Sequence, residues 1–185
     1  MIFDGGARSA LRVETRAHHE RVDRIFSSLR LDDRADYAKF LCAQAAAHIP
    51  VEDALIRGGI AAIVPDWPKR QRSPAMRSDL AELGIAMPES TEPFDLDGEA
   101  ALLGALYVLE GSRLGGAMLA RSVGAGLPVR FLGGGDSGAW RRLLALLDER
   151  LDTALKLALG VKAAAAVFTL FETSGDRYLR TISFE

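Results

Sequence analysis

The sequence predicts an all-α fold, and three observations predict it. Apolar residues recur at three- and four-residue spacing through most of the 185-residue chain. Val, Ile and Thr are nowhere gathered into alternating runs, so no sheet is expected. Gly and Pro fall between the periodic stretches, where they mark connections. The length suits one domain, 1–185, built as a single multi-helix bundle around a substantial core.

Taken in order, Ser9 is placed to cap a first helix, about 9–29, with Leu11, Thr15, Val22, Ile25, Phe26 and Leu29 on one stripe. A second helix opens at Asp32 or Asp33 and runs through Tyr37, Phe40, Leu41 and Gln44. Pro50 is expected to kink or interrupt it before Gly58 and Gly59 end it. Five prolines between Pro65 and Pro93 bracket loops and a short helix around Met76–Leu83. A glycine-bearing helix follows, about 98–122, then a glycine-rich loop, a helix from Trp140 to Leu159 closed by Gly160, and a last helix from Val161 to Thr173. The glycine loop at 133–135 reads as a flexible connector, and the tail after Thr173 is given no function.

The glycine-bearing helix is the anomaly. Its apolar positions, among them Leu103, Leu106, Tyr107, Leu114 and Met118, follow a helical stripe, yet it also carries Gly104, Gly111, Gly115 and Gly116. Each glycine costs about 1 kcal/mol relative to Ala in a helix interior, so something must approach the bare backbone closely. At about 100° per residue Gly104, Gly111 and Gly115 share one narrow sector with Ser112 beside them. A flat ligand or another helix fits such a strip, and the helix alone does not choose between them.

Charge and composition exclude several classes. A formal net charge of −2 gives no general basic bias, so no nucleic-acid partner is expected. The N-terminus has no signal-peptide core and no uninterrupted apolar span reaches about 18 residues, so a soluble protein without a membrane partner is expected. A single cysteine, Cys42, cannot form an internal disulfide; it suits a reducing cytoplasm and reads as a small core residue. Clustered His, Cys and Glu at dedicated metal spacing, the nucleophile of a thiamin-degrading enzyme, the repeated ligand motif of a di-iron oxidase and the lysine of a phosphate-binding loop are all missing from the pattern.

The first helix carries the chemistry. The adjacent pair His18 and His19 borders its apolar stripe. Arg12, seven residues before His19, and Asp23, four after it, lie on the same face as His19. A carboxylate one turn from an imidazole can accept the ring N–H that a metal-bound histidine leaves over, and the arginine suits an anionic group on a flat cofactor. Periodicity alone leaves both histidines open as the ligand. His18 is expected as an exposed helix residue, His48 as a polar residue near the Pro50 kink, and Arg113 as a solvent-facing side chain.

With those residues in view, LRVETRAHHERVD resembles the proximal helix of haem oxygenases and YVLEGSRLGG their glycine-rich distal helix, especially in bacterial forms associated with bacteriophytochromes. YAKFL in the second helix and AVFTLFE near the end extend the resemblance over most of the chain, residues 60–97 adding little. The resemblance implies haem held between the two helices and its iron ligated by the histidine four residues after the Thr of the LRxxT motif, which is His19. It places Arg12 against a propionate and Asp23 against the ligand ring. It places Gly111, Ser112, Gly115 and Gly116 over the distal, reactive side, with Tyr107, Arg141 and Arg142 as further haem contacts. Ser112 stands where mammalian members carry a carboxylate. The implied reaction is oxidative cleavage of haem to biliverdin, carbon monoxide and ferrous iron, using dioxygen and electrons from a ferredoxin or flavoprotein reductase, serving either supply of biliverdin to a bacteriophytochrome or release of iron from haem. A non-catalytic haem-binding module of the same fold is the alternative that Ser112 keeps open.

Overall fold

In the computed structural model, residues 6–88, 94–134 and 137–181 are described, and among them there is no strand. Helix α1 spans Gly6–Phe26, α2 Arg34–Arg57, α3 the single turn Ile60–Ile63, α4 Ser73–Glu82, α5 Gly98–Leu119, α6 Ser137–Arg150 and α7 Ala154–Thr181. A 3₁₀ turn, Trp67–Lys69, separates α3 from α4, and another, Ala120–Ser122, extends α5. The second helix starts as expected: the Asp33 carboxylate accepts the N–H groups of Ala35 and Asp36, satisfying two donors that the first turn leaves over. It then runs through Pro50 without ending, with Pro50 itself buried, and closes at Gly58.

The C-terminal third departs from the sequence expectation. The helix expected to end at Gly160 breaks earlier, at 151–153, and α7 continues through Gly160 and Gly175 to Thr181. Gly160 does not terminate a helix because it serves a crossing. A Cβ on Gly104 of α5 would fall on the Gly160 carbonyl oxygen and within 2.7 Å of its carbon. Gly175 does the same for α1, since a Cβ there would lie 2.6 Å from the Ile25 side chain. The tail residues Ser174 and Tyr178 are thereby buried parts of the bundle.

Helices α1, α2 and α5 all pack on α7, which explains its composition. It is long and apolar enough to cross a membrane by those criteria alone, and an apolar face is what a helix with three packed neighbours requires. One core joins the start of α1 to α5, α6 and α7 through Leu11, Leu103, Leu106, Leu147, Val167 and Phe171. A second, around Tyr37, Leu41, Met76, Leu80, Phe131 and Tyr178, ties α2 and α4 to the loop after α5. That loop is pinned by Tyr37 Oη donating to the Pro128 carbonyl at 2.6 Å and by the Phe131 N–H donating to the buried Asp79 carboxylate at 2.8 Å.

Candidate functional site

Helix α5 has two unlike faces. Gly104 is consumed by the α7 crossing, and Gly116 abuts the backbone of Leu132, 3.3 Å from where its Cβ would sit. Gly111 and Gly115 differ: a Cβ on Gly111 would meet only the Trp140 ring edge at 3.7 Å, and one on Gly115 would meet nothing within 4 Å. The same sector carries Tyr107, Leu114, Met118 and Leu119. Leu114, Met118 and Leu119 are 41%, 73% and 40% exposed, an apolar surface of the kind that marks a binding site. Tyr107 stacks at 5.7 Å on Trp140 of α6 and lies near enough to Arg8 and Arg12 of α1 to feel their charge, although burial is the larger influence and raises its pKa. The open face of α5 therefore borders α1.

On α1, Leu11 and Thr15 are buried, with His18, Val22 and Ile25 half-buried in the same stripe. Thr15 answers its burial by donating to the Leu11 carbonyl at 2.7 Å. His19 and Asp23 stand beside that stripe and are 64% and 67% exposed, with His19 Nδ1 3.0 Å from Asp23 Oδ2. Holding Nδ1 leaves Nε2 of His19 facing outward for another partner. Phe168 of α7 touches both histidine rings, stacked on His18 at 6.1 Å and edge-on to His19 at 6.0 Å.

Behind α5 lies a buried polar network whose pairings no spacing in the sequence announces. Glu110 accepts from Arg70 Nη1 at 3.0 Å, and Arg113 donates to the Arg70 carbonyl. Arg72 donates to the Leu109 carbonyl at 2.8 Å and to Ser112 Oγ at 2.7 Å while its guanidinium lies 4.8 Å over the Phe131 ring. Glu52 receives the backbone N–H groups of Arg72 and Ser73 at 2.6 and 3.0 Å and His48 Nε2–H at 2.9 Å. Burial pushes the His48 imidazole down to about 4, aided by the Arg72 charge and against its bond to Glu52. Burial alone would raise the Glu52 carboxyl, but its bonds from His48, Ser73 and Arg72 outweigh that and hold it at about 2. Ionised Glu52 and neutral His48 thus form the resting pair. Burial and the neighbouring Arg113 lower Arg72 to about 10, which leaves it charged.

No family model matches the chain. It is 38% identical over 114 residues to a haem oxygenase of Xanthomonas campestris, an overlap covering 58% of this chain and 68% of that one. It is 31% identical to the haem oxygenase PigA of Pseudomonas aeruginosa, over 94% of this chain and 91% of the relative. The chain belongs to the haem oxygenase family. The fold of this family member also matches the crystal structure of the NO- and CO-bound haem oxygenase from Neisseria meningitidis, with a TM-score of 0.84 and 22% identity over 98% and 96% of the two chains. The all-α expectation is met.

Within this haem oxygenase, the structure brings His19 and Asp23 together, sets Tyr107 near Arg12, and leaves Gly111 and Gly115 open. Ser112 Oγ is engaged twice, accepting from Arg72 and donating to the Leu109 carbonyl at 2.7 Å. Arg142 pairs with Asp66 at 3.1 Å, on the flank of α6 facing the 60–70 segment. Arg141 is exposed on the flank it shares with Asp148, whose carboxylate accepts the Arg8 N–H of α1 at 3.3 Å. Two expectations are corrected, those for Arg113 and His18. Arg113 does not face solvent; it is buried at 7% exposure because the Arg70 carbonyl and Glu110 receive it. His18 is tied to Glu172 of α7 instead of being free in solvent, while His48, the polar residue near Pro50, is enclosed with Glu52. Cys42 is buried, as expected of a small core residue, and burial raises its thiol to about 11. Gly135 and Asp136 of the glycine loop lie outside the described residues.

The missed network left one legible trace. Arg70 and Arg72 flank a single residue between two prolines, Pro68 and Pro74. Two arginines in an otherwise short, Pro-rich connection are a hint of buried pairing, but nothing in the spacing names partners some 40 residues away.

Proposed function

We propose that the chain cleaves haem oxidatively to biliverdin, carbon monoxide and ferrous iron, with haem held between the His19 face of α1 and the bare Gly111–Gly115 face of α5. The observation that carries this reading is that Tyr107, in the open sector of α5, lies near Arg12, on the His19 face of α1. An imidazole whose Nδ1 is fixed by Asp23 leaves Nε2 outward, and an exposed apolar strip on α5 has no side chain at its centre. A planar apolar molecule with a metal at its middle suits both.

His19 would hold the haem iron through Nε2, and Asp23 would hold the tautomer and orientation of its ring. Arg12 meets a propionate from the His19 face, and Arg141, rather than the Asp66-bound Arg142, is the better placed second cation. When bound, haem itself supplies the redox chemistry with dioxygen and electrons from outside the protein. The chain's own part is positional. Gly111 and Gly115 allow close backbone approach, Leu114, Met118 and Tyr107 exclude water around the ring, and Ser112, anchored by Arg72, presents a fixed hydroxyl where a carboxylate would carry charge. A ferredoxin or flavoprotein reductase is the proposed electron donor and the cytoplasm the proposed compartment. Provision of biliverdin to a bacteriophytochrome is the proposed use.

His19→Ala tests the site. The reading predicts that this variant loses the absorption and resonance Raman signature of histidine-ligated haem while His18→Ala keeps it. A His19→Ala spectrum identical to that of the wild type contradicts it.

A further inference from the structure

Two histidines adjacent in sequence point about 100° apart around a helix, so the rotational setting of α1 decides which of them faces the haem slot. That setting is held from outside the slot. Glu172, on α7, has Oε1 2.7 Å from His18 Nδ1 and accepts Arg21 Nε–H on Oε2 at 3.0 Å. Arg21 Nη2 is also 2.7 Å from His18 Nδ1, so the three groups form one cluster; Nδ1 donates to Glu172 or accepts from Arg21 according to its tautomer, and the carboxylate holds the guanidinium in either case. Glu172 is 18% exposed and His18 22%, so little solvent competes for these bonds. Phe168, one turn before Glu172, stacks on the His18 ring. Four residues beyond His18, Val22 continues the stripe, and Ile25 of the next turn drops into the notch left by Gly175.

We propose that Glu172 is a positioning residue for the haem ligand: by engaging His18 and Arg21 it fixes the rotation of α1, withholds His18 and presents His19 Nε2 to the slot. Glu172 touches neither His19 nor the slot face of α1. Its effect on iron passes through the helix. The inference rests on the proposed role of His19. It also assigns a function to the AVFTLFE segment, where a lone carboxylate sits in an otherwise apolar run.

The test uses ferric haem (hemin) complexes of the full chain, with affinity measured by titration and the iron–histidine stretch read by resonance Raman after reduction. Wild type gives one sharp band, and His19→Ala loses it. Glu172→Ala keeps a band that is broadened or shifted, with hemin affinity lowered about 10-fold, as is usual when a partner outside the ligand shell is lost. Glu172→Gln, which retains an acceptor for His18, returns most of the wild-type band. Should Glu172→Ala fail to fold, His18→Ala removes the same bond from the other side and is expected to broaden the band alike. A Glu172→Ala complex with wild-type affinity and an unchanged band, whatever its melting temperature, reduces the cluster to a structural clip and overturns the proposal. A band that survives His19→Ala identifies a different failure, that of His19 as ligand, and removes the clamp with it.

Discussion

The two faces of α5 are made from the same kinds of residue and do opposite things. Gly104, in the open sector but two turns before Gly111, and Gly116, on the back, are small because backbone lies against them, and on the back Glu110 and Arg113 are charged yet enclosed because Arg70 completes them. On the front, Gly111 and Gly115 are small with nothing, or only a ring edge, in contact, while Leu114 and Met118 are apolar yet exposed. A glycine whose missing Cβ is met by its own protein is packing, and a glycine beside exposed apolar side chains with nothing against it is not. Composition cannot separate the two; the neighbour of each missing Cβ can.

The sharpest way to break this contrast is to add a methyl group at a packed glycine and at an open one. Gly104→Ala drives a Cβ into the Gly160 carbonyl and is expected to destabilise the protein by about 3 kcal/mol, the upper part of the range for overpacking, measured by urea unfolding. Tolerance of that change would mean that α5 and α7 do not cross as described.

The enclosed network behind the back face makes a second, smaller prediction, in pH. His48 is lowered to about 4 in the folded state from an ordinary value of 6.5, so the unfolded chain takes up its proton first and stability is lost as pH falls from 6.5 toward 4. Glu52, lowered to about 2 from 4.5, works in the same direction further down, between 4.5 and 2. Between pH 7 and 5 the His48 contribution amounts to about 2 kcal/mol. Unfolding free energies measured across that interval should fall in the wild type and fall by less in His48→Gln; equal slopes in the two proteins would show that His48 titrates normally.

The smallest effect is the most discriminating. Gly115→Ala meets no atom within 4 Å and is expected to stabilise the haem-free protein by about 1 kcal/mol through helix propensity while weakening hemin binding. Gain in stability with loss of ligand is the mark of a face kept bare for function. Loss of both, or of neither, would erase the distinction between Gly115 and Gly104.

The parts legible in the sequence were those with a local period. The stripe of α1 placed Arg12, His19 and Asp23 on one face, and the glycine spacing of α5 gave the strip, although not that its first member belongs to a crossing. The break at 151–153 was missed because Gly160 carries the usual sign of a helix end, and only its contact with Gly104 shows why it lies inside α7. Residues 60–97 gave almost no signal. They nevertheless supply Arg70, Arg72 and Asp79, whose partners Glu110, Ser112 and Phe131 lie some 40 to 50 residues away. Buried ion pairs of that separation leave no periodicity to read. His18 was missed for the same reason: its carboxylate, Glu172, is 154 residues distant.

The central claim is that the His19 face of α1 and the Gly111–Gly115 face of α5 hold haem for its own oxidation, and one experiment addresses it directly. Hemin is titrated into the purified protein, then a reductant is added with catalase present, and the visible spectrum is followed throughout. The structure predicts one-to-one binding with the Soret band of histidine-ligated haem, then decay of that band as a biliverdin absorption grows toward the red. Stoichiometric binding that gives no biliverdin even with an enzymatic electron donor would contradict catalysis, and no binding at all would contradict the site.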